Sequence, residues 1–161
     1  MGLTRRSMLS AALAVLVAAP VFAASAGATG NPRATGGGTT LELGERSTFT
    51  FNAVQTPNGV SGHMLYNIRA ADLVIHMDLD CLNITGDSAK LSGVVTHVQG
   101  DPPPFLFVGQ DAVFTVTDNG QGSQSPPDLI SDVFLETGAS CTAPFTPVPY
   151  LPIDGNIQVS A

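Results

Sequence analysis

Asp118-Asn119-Gly120-Gln121-Gly122, with Asp128 and Asp132 downstream, gathers oxygen donors on one glycine-bearing stretch. Calcium takes several such oxygens, from carboxylates, Asn side chains and backbone carbonyls held on a tight loop. Asp118, Asn119, Asp128 and Asp132 are therefore the candidate metal ligands, with calcium as the ion. The stretch is not an EF-hand, because the alternating acidic order and the closing Glu are missing. The competing reading is a plain turn, in which Asn119-Gly120 supplies positive φ and Asp118 accepts a local hydrogen bond.

A second group lies on one strand. Asp78 and Asp80 are two residues apart, so both leave the same face, and His76 shares it. Paired carboxylates serve general acid–base chemistry, metal binding or glycoside cleavage; on an exposed strand they serve solubility. His63, His76 and His97 would form a zinc-like cluster if their strands were neighbours. A small hydrolase using His76 with Asp78 or Asp80 is thus a third class of function, beside a calcium-binding module and a non-catalytic binding or structural protein. Nucleophile signatures are missing: no Gly-x-Ser-x-Gly elbow occurs. The glycines at 36–38 precede no helix, so they are not a phosphate loop. No catalytic residue and no organic cofactor is assigned.

The elements that must position these groups are strands. Ser47–Ala53 alternates, with Phe49, Phe51 and Ala53 on one face. After the Asn58-Gly59 turn, Val60, Met64, Tyr66 and Ile68 share a face. Leu73, Ile75, Met77, Leu79 and Cys81 continue the alternation, and then Leu82 and Ile84 take the other parity. A bulge near Cys81 would return them to the core. Ala89–Val98 is apolar at both parities and reads as buried on both sides or central. Phe105–Val108, Ala112–Thr117, Leu129–Glu136 and Ile157–Ser160 complete the strands, while Pro144–Pro152 is confined to an edge. Phe49, Phe51, Phe105, Phe107, Phe114 and Phe134 are expected in the core. No helical periodicity appears after the first 23 residues. Short strands with Gly, Asn and Pro turns predict an all-β, immunoglobulin-like β-sandwich.

Residues 1–23 read as a cleavable export signal. Arg5 and Arg6 precede an apolar run from Met8, with cleavage expected after Ala23 and Ala26 as a second site. The arginine pair points to the twin-arginine route, with the general secretory route as the alternative. The run from Met8 to Phe22 is 15 residues, shorter than the ~20 that span a bilayer. Residues 24–40, rich in Ala, Gly, Ser and Thr, read as a flexible leader, and 41–161 as the domain. The expected product is secreted, monomeric and free of the membrane after cleavage.

Composition narrows the partners. After residue 23 there remain four basic side chains (Arg33, Arg46, Arg69, Lys90) against all 13 acidic ones, a net charge near −9. Nucleic acid is excluded, since phosphate binding needs clustered Lys and Arg, and an anionic membrane surface is disfavoured. An unknown protein or envelope partner stays open. Trp is absent and only Tyr66 and Tyr150 are present, so flat aromatic sugar platforms are disfavoured. Cys81 and Cys141 are the only cysteines, and in an oxidising compartment they read as a disulfide.

Gly36–Gly38, Phe49–Ala53 (Phe-Thr-Phe-Asn-Ala), Gly62–Tyr66 (Gly-His-Met-Leu-Tyr), Thr117–Gly122 and Asp154–Val159 occur in this order. The order resembles the post-COAP-type domain of secreted bacterial proteins, over about residues 36–161. The resemblance implies a small extracellular β domain and carries over no catalytic residues. Asp101–Phe105, the loop around Pro126-Pro127 and the cysteine pair depart from it.

Overall fold

The computed structural model describes residues 30–161 apart from residues 43 and 123. Arg5, Arg6 and Ala23, the residues of the expected export signal, lie outside the described residues. Among the described residues ten strands form: β1 (Arg33–Glu42), β2 (Glu45–Thr56), β3 (Gly59–Ile68), β4 (Leu73–Thr85), β5 (Ser88–Gln99), β6 (Asp111–Thr117), β7 (Leu129–Ile130), β8 (Phe134–Leu135), β9 (Leu151–Pro152) and β10 (Asp154–Ser160). A 3-10 turn, Arg69–Ala71, joins β3 to β4. No helix among the described residues is long and apolar enough to cross a membrane.

Strands β1 to β6 are a sequential antiparallel meander. The chain then closes the sheet on itself. β10 pairs β1 from Arg33↔Ser160 to Thr39↔Asp154, while β9 pairs β7 and β7 pairs β6. Only Ile153 separates β9 from β10, so the two ends of the sheet meet through continuous chain. The Thr40 hydroxyl donates to the Pro152 carbonyl at 3.2 Å across this junction. The expected all-β, sandwich-type domain with one disulfide is what forms. Its connectivity is a barrel-like meander, not the Greek key of immunoglobulin domains, because each of β1 to β5 is followed in the chain by the strand it pairs with. Closure leaves β1 to β5 paired on both sides and so removes the long sheet edges.

Period-2 alternation places the core. Phe49, Phe51 and Ala53 of β2, Met64 and Tyr66 of β3, and Leu73, Ile75, Met77 and Leu79 of β4 all point inward. Their rings form a chain along the interior. Phe49 meets Tyr66 edge-on at 6.2 Å, and Phe51 meets Phe114 at 5.6 Å. Fully burying each such side chain contributes about 1.5–3 kcal/mol. The ladder between β4 and β5 shifts register between Leu79 and Cys81, and again at His76/Met77. The first shift is the bulge that returns Leu82 to the core.

β5 is buried on both faces because the chain after β8 lies across its outside. Cys141 joins Cys81, 60 positions away in sequence, with Cα atoms 5.7 Å apart. The Cys141 amide donates to Ser92 Oγ at 2.9 Å. Lys90 Nζ donates to the carbonyls of Ala143, at 2.6 Å, and Phe145. Burial under this segment pulls the Lys90 ammonium below the ordinary lysine range.

Two expectations are corrected. Residues 33–40, read as leader, are most of β1, a strand paired along both sides. The glycines are there for close approach. A Cβ on Gly36 would lie 2.8 Å from Ile157 Cγ1 and 2.9 Å from Phe51 Cε1, so a side chain would drive β10 and β2 apart. The second correction concerns phenylalanines. Phe105, Phe107 and Phe134 are exposed: Phe105 and Phe107 because Pro102-Pro103-Pro104 precede them and 105–110 form no strand, and Phe134 because it takes the outward parity of β8. Leu106 alone of residues 105–108 reaches the core.

Candidate functional site

The barrel has two ends with different chemistry. One carries the turns at 57–58 and 86–87 and the loop 118–128. There the structure brings together Asp118, Asn119 and Asp128. Asp128 is 5% exposed. Its Oδ1 accepts from the Asn119 amide at 2.8 Å and its Oδ2 from the Ile157 amide at 2.6 Å. Asp118 Oδ1 accepts from the Gly120 amide at 2.9 Å and its Oδ2 from the Val159 amide at 3.1 Å. Asn119 donates its side-chain amide to the Pro127 carbonyl. Gly120 takes φ +92 and Asn119 does not take positive φ.

These bonds explain why carboxylates stand here. The amides of Ile157 and Val159 lie on the β10 edge that does not face β1. No strand covers that stretch, so Asp118 and Asp128 accept its hydrogen bonds, and Ile153 adds a bond to the Asp128 carbonyl. The loop thereby seals the barrel. Asp132 does not join the group. It lies four residues along extended chain from Asp128, ~13 Å at full extension, and belongs to the opposite end. Among the described residues no group of three or more His, Cys, Asp or Glu side chains converges as metal ligands do.

The histidines and the Asp78/Asp80 pair sit on the barrel's outside. His63 is the cross-strand neighbour of Asp78, and His76 that of His97. The rings of His76 and His97 meet edge-on at 5.2 Å. Asp80 stands at the bulge beside Cys81, opposite no residue of β5. His63, His76, Asp78 and Asp80 are all in open water. A histidine general base needs an orienting partner and an enclosed substrate position; the neighbour of His76 here is a second histidine.

The other end holds a cleft of about 240 Å³. Its floor and walls are apolar: Ile68 of β3, Leu73 and Ile75 of β4, Leu106 of the β5–β6 loop, and Val133 and Leu135 after β7. Three polar groups enter it. Tyr66, 1% exposed, donates its hydroxyl to Glu42 Oε2 at 2.7 Å. Asp132 lines the cleft and its Oδ2 accepts from the Tyr150 hydroxyl at 2.7 Å. Phe105, exposed on its loop, adds an aromatic ring to the wall.

No family model, curated protein or solved structure matches this chain.

Acidic groups act on both tyrosines at this end. Burial pushes the Tyr66 hydroxyl far above the ordinary phenol range, and its bond to Glu42 and the charges of Glu42 and Asp132 push it further. Tyr150 is raised by its bond to Asp132 first, then by burial and by the charges of Asp132 and Glu42. Each carboxylate uses one oxygen in these bonds. The sequence places Tyr66 on a core-facing parity but gives no sign that Glu42, 24 residues earlier, meets its hydroxyl. That contact exists because the ends of β1 and β3 meet at the same rim of the closed barrel.

Proposed function

We propose that this chain is an exported, disulfide-stapled β domain that acts by binding a small molecule in the cleft at the Glu42–Asp132 end, and not by catalysis. The cleft is the observation that carries the reading: an apolar cavity with a few convergent polar groups at the mouth of a barrel is where such folds hold ligands. The Arg5-Arg6 signal, the disulfide and the resemblance to the post-COAP-type domain support a secreted location. Pairing of β1 to β5 on both sides supports a monomer.

A second reading, a structural envelope component with a protein partner, has one observation in its favour. Phe134 and Phe145 stack edge-on at 5.1 Å on the surface, both exposed.

Thermal unfolding with toluene, a neutral probe of the cleft, tests the binding reading. A ligand of the folded state raises the melting temperature by mass action. The rise should vanish in Val133→Trp, which fills the cleft from its rim. An equal rise in Val133→Trp, or no rise in the unsubstituted protein with toluene and none with its amine-bearing analogue 2-phenylethylamine, refutes binding in the cleft.

A further inference from the structure

The cleft's charge and size specify a ligand class. Its two ionisable carboxylates, Glu42 and Asp132, come from distant parts of the chain and converge on one apolar cavity. Arg69 belongs to the turn that gives Ala71 to the wall, but is itself exposed and not part of the lining. The carboxylates that act on Tyr66 are those of Glu42 and Asp132. Carboxylates beside apolar walls favour a bound cation, because the low-dielectric surroundings strengthen each attraction. Phe105 adds a ring, and aromatic faces attract ammonium groups.

We propose that the cleft takes a small organic cation, an amine with one aromatic ring or a short alkyl chain. Its ammonium lies between Glu42 and Asp132 and its apolar body lies against Leu73, Leu106 and Leu135. Size supports this. A cavity of about 150 Å³ holds one benzene ring, so about 240 Å³ accommodates a ring with a two-carbon ammonium arm. Each carboxylate keeps one oxygen outside its bond to a tyrosine, and an ammonium has three donors to offer. The tyrosines hold the carboxylates in place: Tyr66 fixes Glu42 from the core, and Tyr150 fixes Asp132 from the rim. A carboxylate ligand would meet two like charges, and a neutral ligand would leave both unpaired.

This inference rests on the binding reading above, and three ligands of one shape separate the two. Calorimetric titration of the oxidised protein would use 2-phenylethylamine, 2-phenylethanol and phenylacetate at low salt. The amine is expected to bind at least tenfold tighter than the alcohol, and phenylacetate weakest. The amine's advantage should shrink in 0.5 M salt and fall at least fivefold in Glu42→Gln and in Asp132→Asn. Both variants keep an acceptor for the tyrosine hydroxyl, and their urea midpoints report whether they fold. Equal binding of amine and alcohol by the unsubstituted protein overturns the cation while leaving the cleft as a binding site. Binding of none of the three overturns both.

Discussion

Asp128 Oδ2 lies 2.6 Å from the amide nitrogen of Ile157, so a loop carboxylate takes the place of a neighbouring strand for the last strand of the barrel. The same side chain accepts from the Asn119 amide. Hydrogen bonds to a charged acceptor contribute about 1.5–3 kcal/mol each. Asp128→Ala should therefore lower stability by about 3 kcal/mol or more. Asp128→Asn, with one acceptor left, should cost about half as much. Urea unfolding measures both, with an unchanged slope expected if only the folded state is affected. Because these oxygens are occupied by amides, the melting temperature should be the same in EDTA and in millimolar calcium. A clear rise with calcium would restore Asp118, Asn119 and Asp128 as a metal site.

Gly36→Ala separates a strand from a leader. In a flexible leader the change would be neutral or slightly favourable. In β1 the new methyl meets Ile157, the Asn156 carbonyl and Phe51 at under 3 Å. Overpacking of this kind costs about 1–3 kcal/mol. A melting temperature equal to that of the unsubstituted protein would contradict the two-sided pairing of β1.

The two tyrosines give a pH test free of tryptophan, which the chain lacks. Both are held above the ordinary phenol value. The folded protein should show no full tyrosinate absorbance at pH 11, whereas in urea both should titrate near 10. The sign for stability follows. A raised folded-state value means the contribution is complete below about pH 10 and is lost as pH climbs above it. Tyr66 alone should give a slope of about 1.4 kcal/mol per pH unit there. Tyr66→Phe should flatten that slope and, by losing the bond to Glu42, cost about 1–2 kcal/mol near neutrality.

Reducing the disulfide should cost about 4 kcal/mol in the chain-entropy model, for the 60-residue separation between Cys81 and Cys141. Urea midpoints with and without dithiothreitol measure it. Beyond that loss, the segment around Ala143 and Phe145 should exchange its amides faster while Lys90 still tethers it. A midpoint unmoved by reduction would remove the staple from the account.

The strands, the bulge beside Cys81 and the double burial of β5 were legible because period-2 patterning is local. The phenylalanines were misread where that locality fails. Phe105 and Phe107 keep the alternation of a strand, yet three prolines before them deny the ladder its donors. Gly36–Gly38 looks like a linker by composition, and its packing role depends on β10, which arrives more than 100 residues later. The donor-rich loop was visible, but its partners, the amides of Ile157 and Val159, were not. Nor was the cleft. Glu42, Tyr66, Leu106 and Asp132 share no motif, and only closure of the barrel makes them neighbours.

The central claim is that the Glu42–Asp132 end binds a small molecule. Amide chemical shifts of the oxidised domain during a titration with 2-phenylethylamine test it most directly. Saturable shifts confined to Tyr66, Leu73, Leu106, Asp132 and Leu135, with the 118–128 loop unmoved, are the predicted result. No saturable shifts, or shifts centred on the opposite end or on the outer histidine face, would contradict it.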